Sequence, residues 1–215
     1  MLTTTLQTIW AWLPKDDNGQ AEDTHYWNSL LKGLGKTRRD NEPLTLLQIL
    51  ESCGMKCAVT TAIVFDDHPR AIRLYACYCA RYVLNIFEET YPEEKAPRNA
   101  IEAAEKYAQG LGDEEDMHAA SGRLEDWLND SNDAPRHAAS AANIATMPMG
   151  LCNSSAFLEG MLDRIFFDTR AALYFVWSIA GEAAEAKSIE VLRREFIRLC
   201  KLEGEYGEVD KLDNP

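Results

Sequence analysis

The apolar residues of this chain recur at helical spacing between prolines and glycines, and this pattern restricts it to a largely helical fold. The clearest case opens at Pro69 and must end before Pro92. Its apolar side chains follow one another every three or four residues, which places them on one broad face. A second helix opens at Pro97, contains a row of small residues and ends at Gly110. Two neighbouring helices are therefore predicted within 69–110.

Comparable spacing predicts helices along most of the remaining chain, with polar segments between them. These helices cover residues 2–13, 24–34, 43–53, 113–128, 134–146, 154–180 and 188–203. The β-branched run inside 55–65 could also form a strand, but no second strand is available to pair with it, so a buried helix is preferred. We predict an all-α fold, an irregular multi-helix bundle of roughly seven to ten helices with no sheet.

The length of 215 residues allows one large domain or two small ones. A domain of this size buries roughly 70% of its unfolded surface and needs no disulfide or metal to hold it together. We expect a single all-α domain over 1–215. Its parts would be N-terminal helices (1–65), a helical core (66–146), long C-terminal helices (154–203) and a frayed acidic tail (204–215). The residues expected to be buried are Leu74, Tyr75, Val83, Phe87, Ile101, Phe166, Leu173, Phe175, Trp177 and Phe196.

The sequence lacks the spacing of a catalytic or metal-binding motif. Cys77 and Cys79 are two positions apart, about 200° around a helix, so their thiols should point to opposite sides. Cys53 and Cys57 have a suitable offset, but Gly54 interrupts their helix, and the four histidines form no ligand array. We predict that the protein is not an enzyme and has no catalytic residue, no metal site and no cofactor.

Cysteine use and hydropathy both favour a reducing cytoplasm. Six cysteines in a chain of this length do not make a dense disulfide framework, so we expect free thiols. The sequence starts without a basic leader or a cleavage site. The longest apolar region, 156–181, contains five charged residues and is too polar to cross a membrane. We expect a cytoplasmic protein without membrane contact.

The formal net charge is −13, which makes nucleic acid a poor direct ligand because phosphates bind clustered lysine and arginine. The acids are densest within 102–133, which contains ten acidic residues and only two basic ones. We predict that a partner protein with a basic surface docks there. The predicted partner-binding residues are Asp113, Glu114, Glu115, Asp116, Glu125 and Asp126. The alternative is a solvated face that only keeps the protein soluble.

Two further charged side chains in this region are expected to form local ion pairs. Arg98 stands at a helix start near Glu93 and Glu94, and a pair with either would tie the preceding loop to the helix. His118 follows Glu114 by one helical turn, so a surface ion pair is expected there too.

Residues 69–110 combine a Cys-rich helix, an aromatic–Glu end, a Tyr-Pro turn and then Pro-Arg-x-Ala-Ile-Glu-Ala-Ala before a glycine. In these features the segment resembles a family of small bacterial helical proteins classed as immunity proteins. The matching positions are Ala76, Cys77, Cys79, Ala80, Val83, Leu84, Phe87, Glu88, Tyr91, Pro92, Pro97, Arg98, Ala100, Ile101, Glu102, Ala103, Ala104 and Gly110. The chain departs from the family pattern at Tyr78, Arg81 and Asn85.

The resemblance implies a protein that neutralises its partner by stoichiometric occlusion. A mobile element such as a phage could use the same helical core against a host defence protein. Three other hypotheses stay open: a DNA mimic whose carboxylates imitate phosphates, an enzyme with a site assembled from distant residues, and a structural or oligomeric adaptor, with a homo-oligomer left open.

Overall fold

A computed structural model describes residues 2–13, 15, 19–21, 24–64, 69–124, 133–146 and 182–209. Over these ranges it contains eight α-helices, which confirms the all-α class and the predicted number of helices. The helices are α1 (Leu6–Trp12), α2 (Thr24–Gly33), α3 (Leu46–Thr61), α4 (Pro69–Thr90), α5 (Ala96–Ala108), α6 (Glu114–Gly122), α7 (Ala134–Thr146) and α8 (Glu182–Val209). A 3-10 helix, Ala62–Val64, extends α3.

The prediction of no sheet is wrong, because two short strands pair in antiparallel register. They are β1 (Thr3–Thr4) and β2 (Leu44–Thr45), with Thr3 opposite Thr45. Each strand leads directly into a helix. The side chain of Thr45 accepts a hydrogen bond from the backbone N–H of Gln48, and Gln48 caps Thr45 in return. Strands of two residues are too short to show an alternating pattern, so the sequence did not indicate them.

The described residues fall into two compact units. The first contains those within 2–64 and within 197–209, and the second those within 69–146 and within 182–196. The predicted single domain over 1–215 stays a prediction.

In the first unit, α2 and α3 approach closely at Gly33. A Cβ atom at this glycine would lie 2.6 Å from the Cys53 sulfur, so a side chain there would displace α3. Gly54 has a φ of +83° and kinks α3 where the sequence predicted a helix end. Beyond the kink the chain stays helical to Thr61, whose hydroxyl lies 2.7 Å from the Tyr26 hydroxyl. The preference for helix over strand in 55–65 is therefore confirmed as far as Val64.

In the second unit, α7 packs mainly against α4 and also against α5. Ten of its thirteen residues are buried. The sequence showed no large apolar face here, because the buried side chains are mostly alanine. Small side chains allow α7 to lie close to its neighbours, and the helix is central for that reason.

Several boundaries and core positions differ from those predicted. The helix predicted over 113–128 ends at Gly122, and α8 is longer at both ends than the predicted 188–203. The predicted helix 154–180 lies outside the described residues, with Phe166, Leu173, Phe175 and Trp177. Tyr75, Val83, Phe87, Ile101 and Phe196 are buried as expected. Leu74 is only half-buried, whereas its neighbour Arg73 is buried.

Candidate docking face on helices α5 and α6

Four consecutive acids begin α6, and we call them the acidic ridge: Asp113, Glu114, Glu115 and Asp116. Asp113 is the N-cap, and its Oδ1 accepts the backbone N–H of Asp116 at 2.8 Å. The other three occupy the first turn, where the helix dipole favours negative charge. All four are exposed. The structure thus places four of the six predicted docking residues together, while Glu125 and Asp126 lie outside the described residues.

His118 lies on the same helix, and its Nε2 is 3.5 Å from Glu114 Oε1. Both side chains are exposed, and the structure shows the contact on which the expected surface ion pair depends. Such a pair contributes little to stability.

An open groove of about 430 Å³ lies between α5 and α6, beside the ridge. Its lining residues are Asn99, Glu102, Ala103, Lys106, Leu111, Gly112, Asp116, Ala119, Ala120 and Arg123. Leu111, in the loop between the two helices, is 74% exposed. Asp116 belongs to both the ridge and the groove, so the two features form one continuous surface.

Two ion pairs hold α5 against α4. Arg98 donates through Nε and Nη2 to both carboxylate oxygens of Glu88, at 2.7 and 2.6 Å. Arg81 makes the same two-bond contact with Glu105, at 2.9 and 2.6 Å. In each pair, the hydrogen bonds to the guanidinium raise the pKa of the arginine. A planar guanidinium can donate two parallel hydrogen bonds to one carboxylate. Each pair therefore neutralises two opposite charges and also fixes the distance between α4 and α5.

The predicted pairing of Arg98 with Glu93 or Glu94 is wrong. The partner is Glu88, in the preceding helix, and its hydrogen bonds with Arg98 lower the pKa of this carboxyl. Glu94 instead accepts the backbone N–H of Ala96 at 2.7 Å. Sequence proximity suggested the loop acids, but the antiparallel turn brings the last part of α4 alongside the start of α5.

Sequence reasoning missed Arg73, which is only 3% exposed and lies beneath α6. Its Nη1 donates to the carbonyl oxygen of Ala145 at 2.7 Å and lies 3.1 Å from the sulfur of Met117. The guanidinium is 5.1 Å from the ring centre of Tyr107. Burial lowers the pKa of Arg73. One side chain of α4 thereby contacts α5, α6 and α7.

The buried cysteines of α4 are poor nucleophiles and poor metal ligands. Cys77 and Cys79 are both almost fully buried, and burial raises the pKa of Cys77 to about 12. A thiol in that state stays protonated near neutral pH. Within the described ranges, no disulfide joins any of the five cysteines, Cys53, Cys57, Cys77, Cys79 and Cys200.

Among the described residues, no group of three or more histidine, cysteine, aspartate or glutamate side chains is arranged to hold a metal ion. Within the same ranges, no helix combines the length and the apolar character that crossing a membrane requires.

Comparison with known proteins gives one match. Residues 65–146 match the model of a family described as Imm-5 like putative immunity protein. The resemblance inferred from residues 69–110 is thereby confirmed, and the matched range extends to the end of α7. It includes the acidic ridge and the groove. No curated protein matches the chain, and no solved structure matches it.

Proposed function

We propose that this protein binds a partner protein stoichiometrically and neutralises it by occlusion, without catalysis. The observation that supports this is the family match over 65–146, since immunity proteins are named for protecting against another protein. The matched segment includes a run of four consecutive exposed acids, the acidic ridge. A binding protein needs an accessible face of this kind and does not need converging catalytic groups.

The acidic ridge is the proposed docking face, with Glu125 and Asp126 as its continuation along the sequence. Exposed carboxylates of one sign attract a basic protein over distances up to about 10 Å at moderate salt. Charges at the rim of an interface act mainly on the rate of association. The partner is therefore proposed to have a basic surface, and the proposed setting is the cytoplasm, with the protein encoded by a phage or another mobile element against a host defence system.

The test uses affinity capture of the partner from the native host, followed by binding kinetics with purified components. The variant Glu114→Lys, Glu115→Lys, Asp116→Lys, called the ridge reversal, should slow association about tenfold or more. Folding should be intact at a cost of about 1–3 kcal/mol, because the helix dipole favours negative charge at all three first-turn positions; urea unfolding of the variant measures that cost.

The matched control is Glu51→Lys, Glu89→Lys, Glu93→Lys, called the remote reversal. It changes the net charge by the same amount at three exposed acids outside the ridge. Equal association rates for the parent and the ridge reversal would show that the ridge is only a solvated face. Competition by double-stranded DNA for the same partner would instead support the DNA-mimic hypothesis.

A further inference from the structure

Helix α3 has a cysteine on each side of its kink, and the two thiols are in contact. Cys53 directly precedes Gly54, and Cys57 follows this glycine by three positions. The Cys57 thiol forms a hydrogen bond with that of Cys53. We propose that this pair is an oxidation site, at which a small organic disulfide such as oxidised glutathione converts the two thiols into an intramolecular disulfide. The pair belongs to the first unit, and its chemistry is independent of the docking face proposed on α6.

The kink changes the geometry that a regular helix imposes on residues four positions apart. In a regular α-helix their Cβ atoms lie about 5–6 Å apart, whereas a disulfide requires about 3.5–4.5 Å. Gly54 has a φ of +83° and a ψ of 178°, so the helical spacing does not apply across it. Glycine has a wide range of accessible backbone angles, and it can absorb the adjustment that bond formation needs. The two thiols therefore start in contact, with a permissive residue between them.

The two cysteines differ in exposure, and this difference assigns their roles. Cys53 is half-buried, whereas Cys57 is only 6% exposed. An external disulfide can reach only the half-buried sulfur directly, so Cys53 reacts first. Cys57 needs no access to solvent, because its target is the neighbouring Cys53 sulfur. Burial raises the pKa of Cys53, and the hydrogen bond from Cys57 opposes this effect by stabilising the thiolate.

The reaction is a thiol–disulfide exchange in two steps. The Cys53 thiolate attacks one sulfur of the small disulfide, whose S–S bond breaks; a mixed disulfide forms, and one small thiolate leaves and takes the proton that Cys53 has lost. The Cys57 thiolate then attacks the Cys53 sulfur, and the second small thiolate leaves and takes the proton from Cys57. Two protein thiols are thereby oxidised, and one small disulfide is reduced to two thiols. The raised pKa of Cys53 makes the first step slower than at an ordinary exposed cysteine.

Oxidation would also affect α2, because the Cys53 sulfur lies against that helix. The sulfur donates its proton to the carbonyl oxygen of Leu30 at 3.5 Å, and a Cβ atom on Gly33 would lie 2.6 Å from it. A disulfide sulfur has no proton to donate, so the reaction removes this hydrogen bond between α3 and α2. The redox state of the pair would thereby change how α2 packs against α3.

The other cysteines of the described ranges are worse placed to react. Cys77 and Cys79 are almost fully buried and stand two positions apart on α4, about 200° around the helix. Cys200 is 4% exposed, and burial raises its pKa to about 12. Among the five described cysteines, an external disulfide should therefore select the pair in α3.

The test starts from the reduced full-length protein, incubates it with oxidised glutathione and digests it under non-reducing conditions. Trypsin cuts after Lys56 and so separates Cys53 from Cys57. The resulting peptides are 40–56 and 57–70. We expect mass spectrometry to find these two peptides joined, and a reductant to separate them. In the native protein the joined pair should exceed the glutathione adduct of Cys53 about tenfold or more, because the second thiol is already in contact.

Three variants check the assigned roles. Cys57→Ala should stop at the glutathione adduct of Cys53. Cys53→Ala should give neither this adduct nor the joined pair. Cys77→Ala, at a buried cysteine of α4, is the matched control and should give the joined pair at the level of the parent.

Two results would overturn the proposal. One is a native parent protein that stops at the glutathione adduct of Cys53 or leaves both thiols of α3 unmodified. The other is an equal ratio of joined pair to adduct in the native protein and in urea, since the folded geometry at Gly54 would then contribute nothing to the second step.

Discussion

At the scale of single residues, the Arg98–Glu88 pair shows how this segment uses charge. Both residues belong to the pattern shared with the immunity proteins, and the structure joins them across two helices. Glu88 is 20% exposed and Arg98 41%, so solvent screens the pair and reduces its value. The pair is better understood as fixing the distance between α4 and α5 than as a large source of stability.

We predict a coupling energy of about 0.5–1 kcal/mol between these two side chains near neutral pH. The cycle uses Glu88→Gln, Arg98→Met and the double variant in urea unfolding. Because Arg98 lowers the pKa of Glu88 below its ordinary 4.5, the stabilisation is present above that value and is lost as the pH falls through the lowered pKa. A coupling energy that persists below about pH 2 would contradict an ionic origin.

Phe87 gives a prediction about packing. Its side chain is fully buried, with its ring 5.2 Å from that of Tyr91. Phe87→Ala should lower the free energy of unfolding by about 3–5 kcal/mol, since both apolar contact and filled volume are lost. Tyr91→Ala is the control: Tyr91 is 37% exposed, and its loss should cost clearly less. A cost below about 1 kcal/mol for Phe87→Ala would mean that this face of α4 is placed wrongly.

The cysteines give a prediction about reactivity. Cys77 and Cys200 have pKa values raised to about 12 by burial, and Cys79 is fully buried. In the native protein near neutral pH they should react with iodoacetamide far more slowly than the half-buried Cys53. Denatured protein under non-reducing conditions should show all six thiols. Stoichiometric zinc in the purified protein, or fewer than six thiols, would be incompatible with free structural cysteines.

At the scale of elements, the proline, glycine and cap residues of the sequence predicted where helices begin and end, but not how the helices pack against one another. The effects of Pro69, Gly110 and Asp113 on the backbone do not extend beyond one helical turn. Each of these residues lies at or next to the end of a helix in the structure. The six predicted docking residues included the four that begin α6. The groove was not predicted, because its walls come from two helices whose relative position depends on packing.

Burial by neighbouring helices was the other property that the sequence did not reveal. Arg73 was not singled out from the sequence, although it stands four positions before Cys77 on the buried side of α4. The alanines of α7 lacked the size that usually indicates a core. In both cases burial results from contacts with other helices. Residue type alone would have suggested exposure for the arginine and no core role for the alanines.

The central position of α7 predicts low tolerance to larger side chains. Ala142 is fully buried, and we expect Ala142→Leu to destabilise the protein by about 1–3 kcal/mol, because the added atoms must displace α4 or α5. Ala186→Leu, at an exposed position of α8, should change stability by less than about 0.5 kcal/mol. Chemical denaturation of both variants measures the difference. If both substitutions changed the free energy of unfolding by the same small amount, α7 would not be tightly packed at Ala142.

At the scale of the whole molecule, the net charge of −13 acts on any basic partner, so the effect of the ridge must be separated from that of total charge. Both act over a Debye length, about 10 Å at 0.1 M salt, and both weaken as salt is added. They differ in position. Local attraction would orient the proposed docking face toward the partner, whereas total charge attracts the partner to every side of the molecule alike.

We therefore predict different salt dependences for the two reversed variants, which have the same net charge. The association rate of the parent should fall several-fold between about 0.05 and 0.5 M salt. The ridge reversal should start from a slow rate and lose most of this dependence, whereas the remote reversal should keep most of it. Stopped-flow or surface-based kinetics with the captured partner measures all three slopes. Identical slopes for the two variants would assign the attraction to total charge, and the docking face would then have to be sought away from α6.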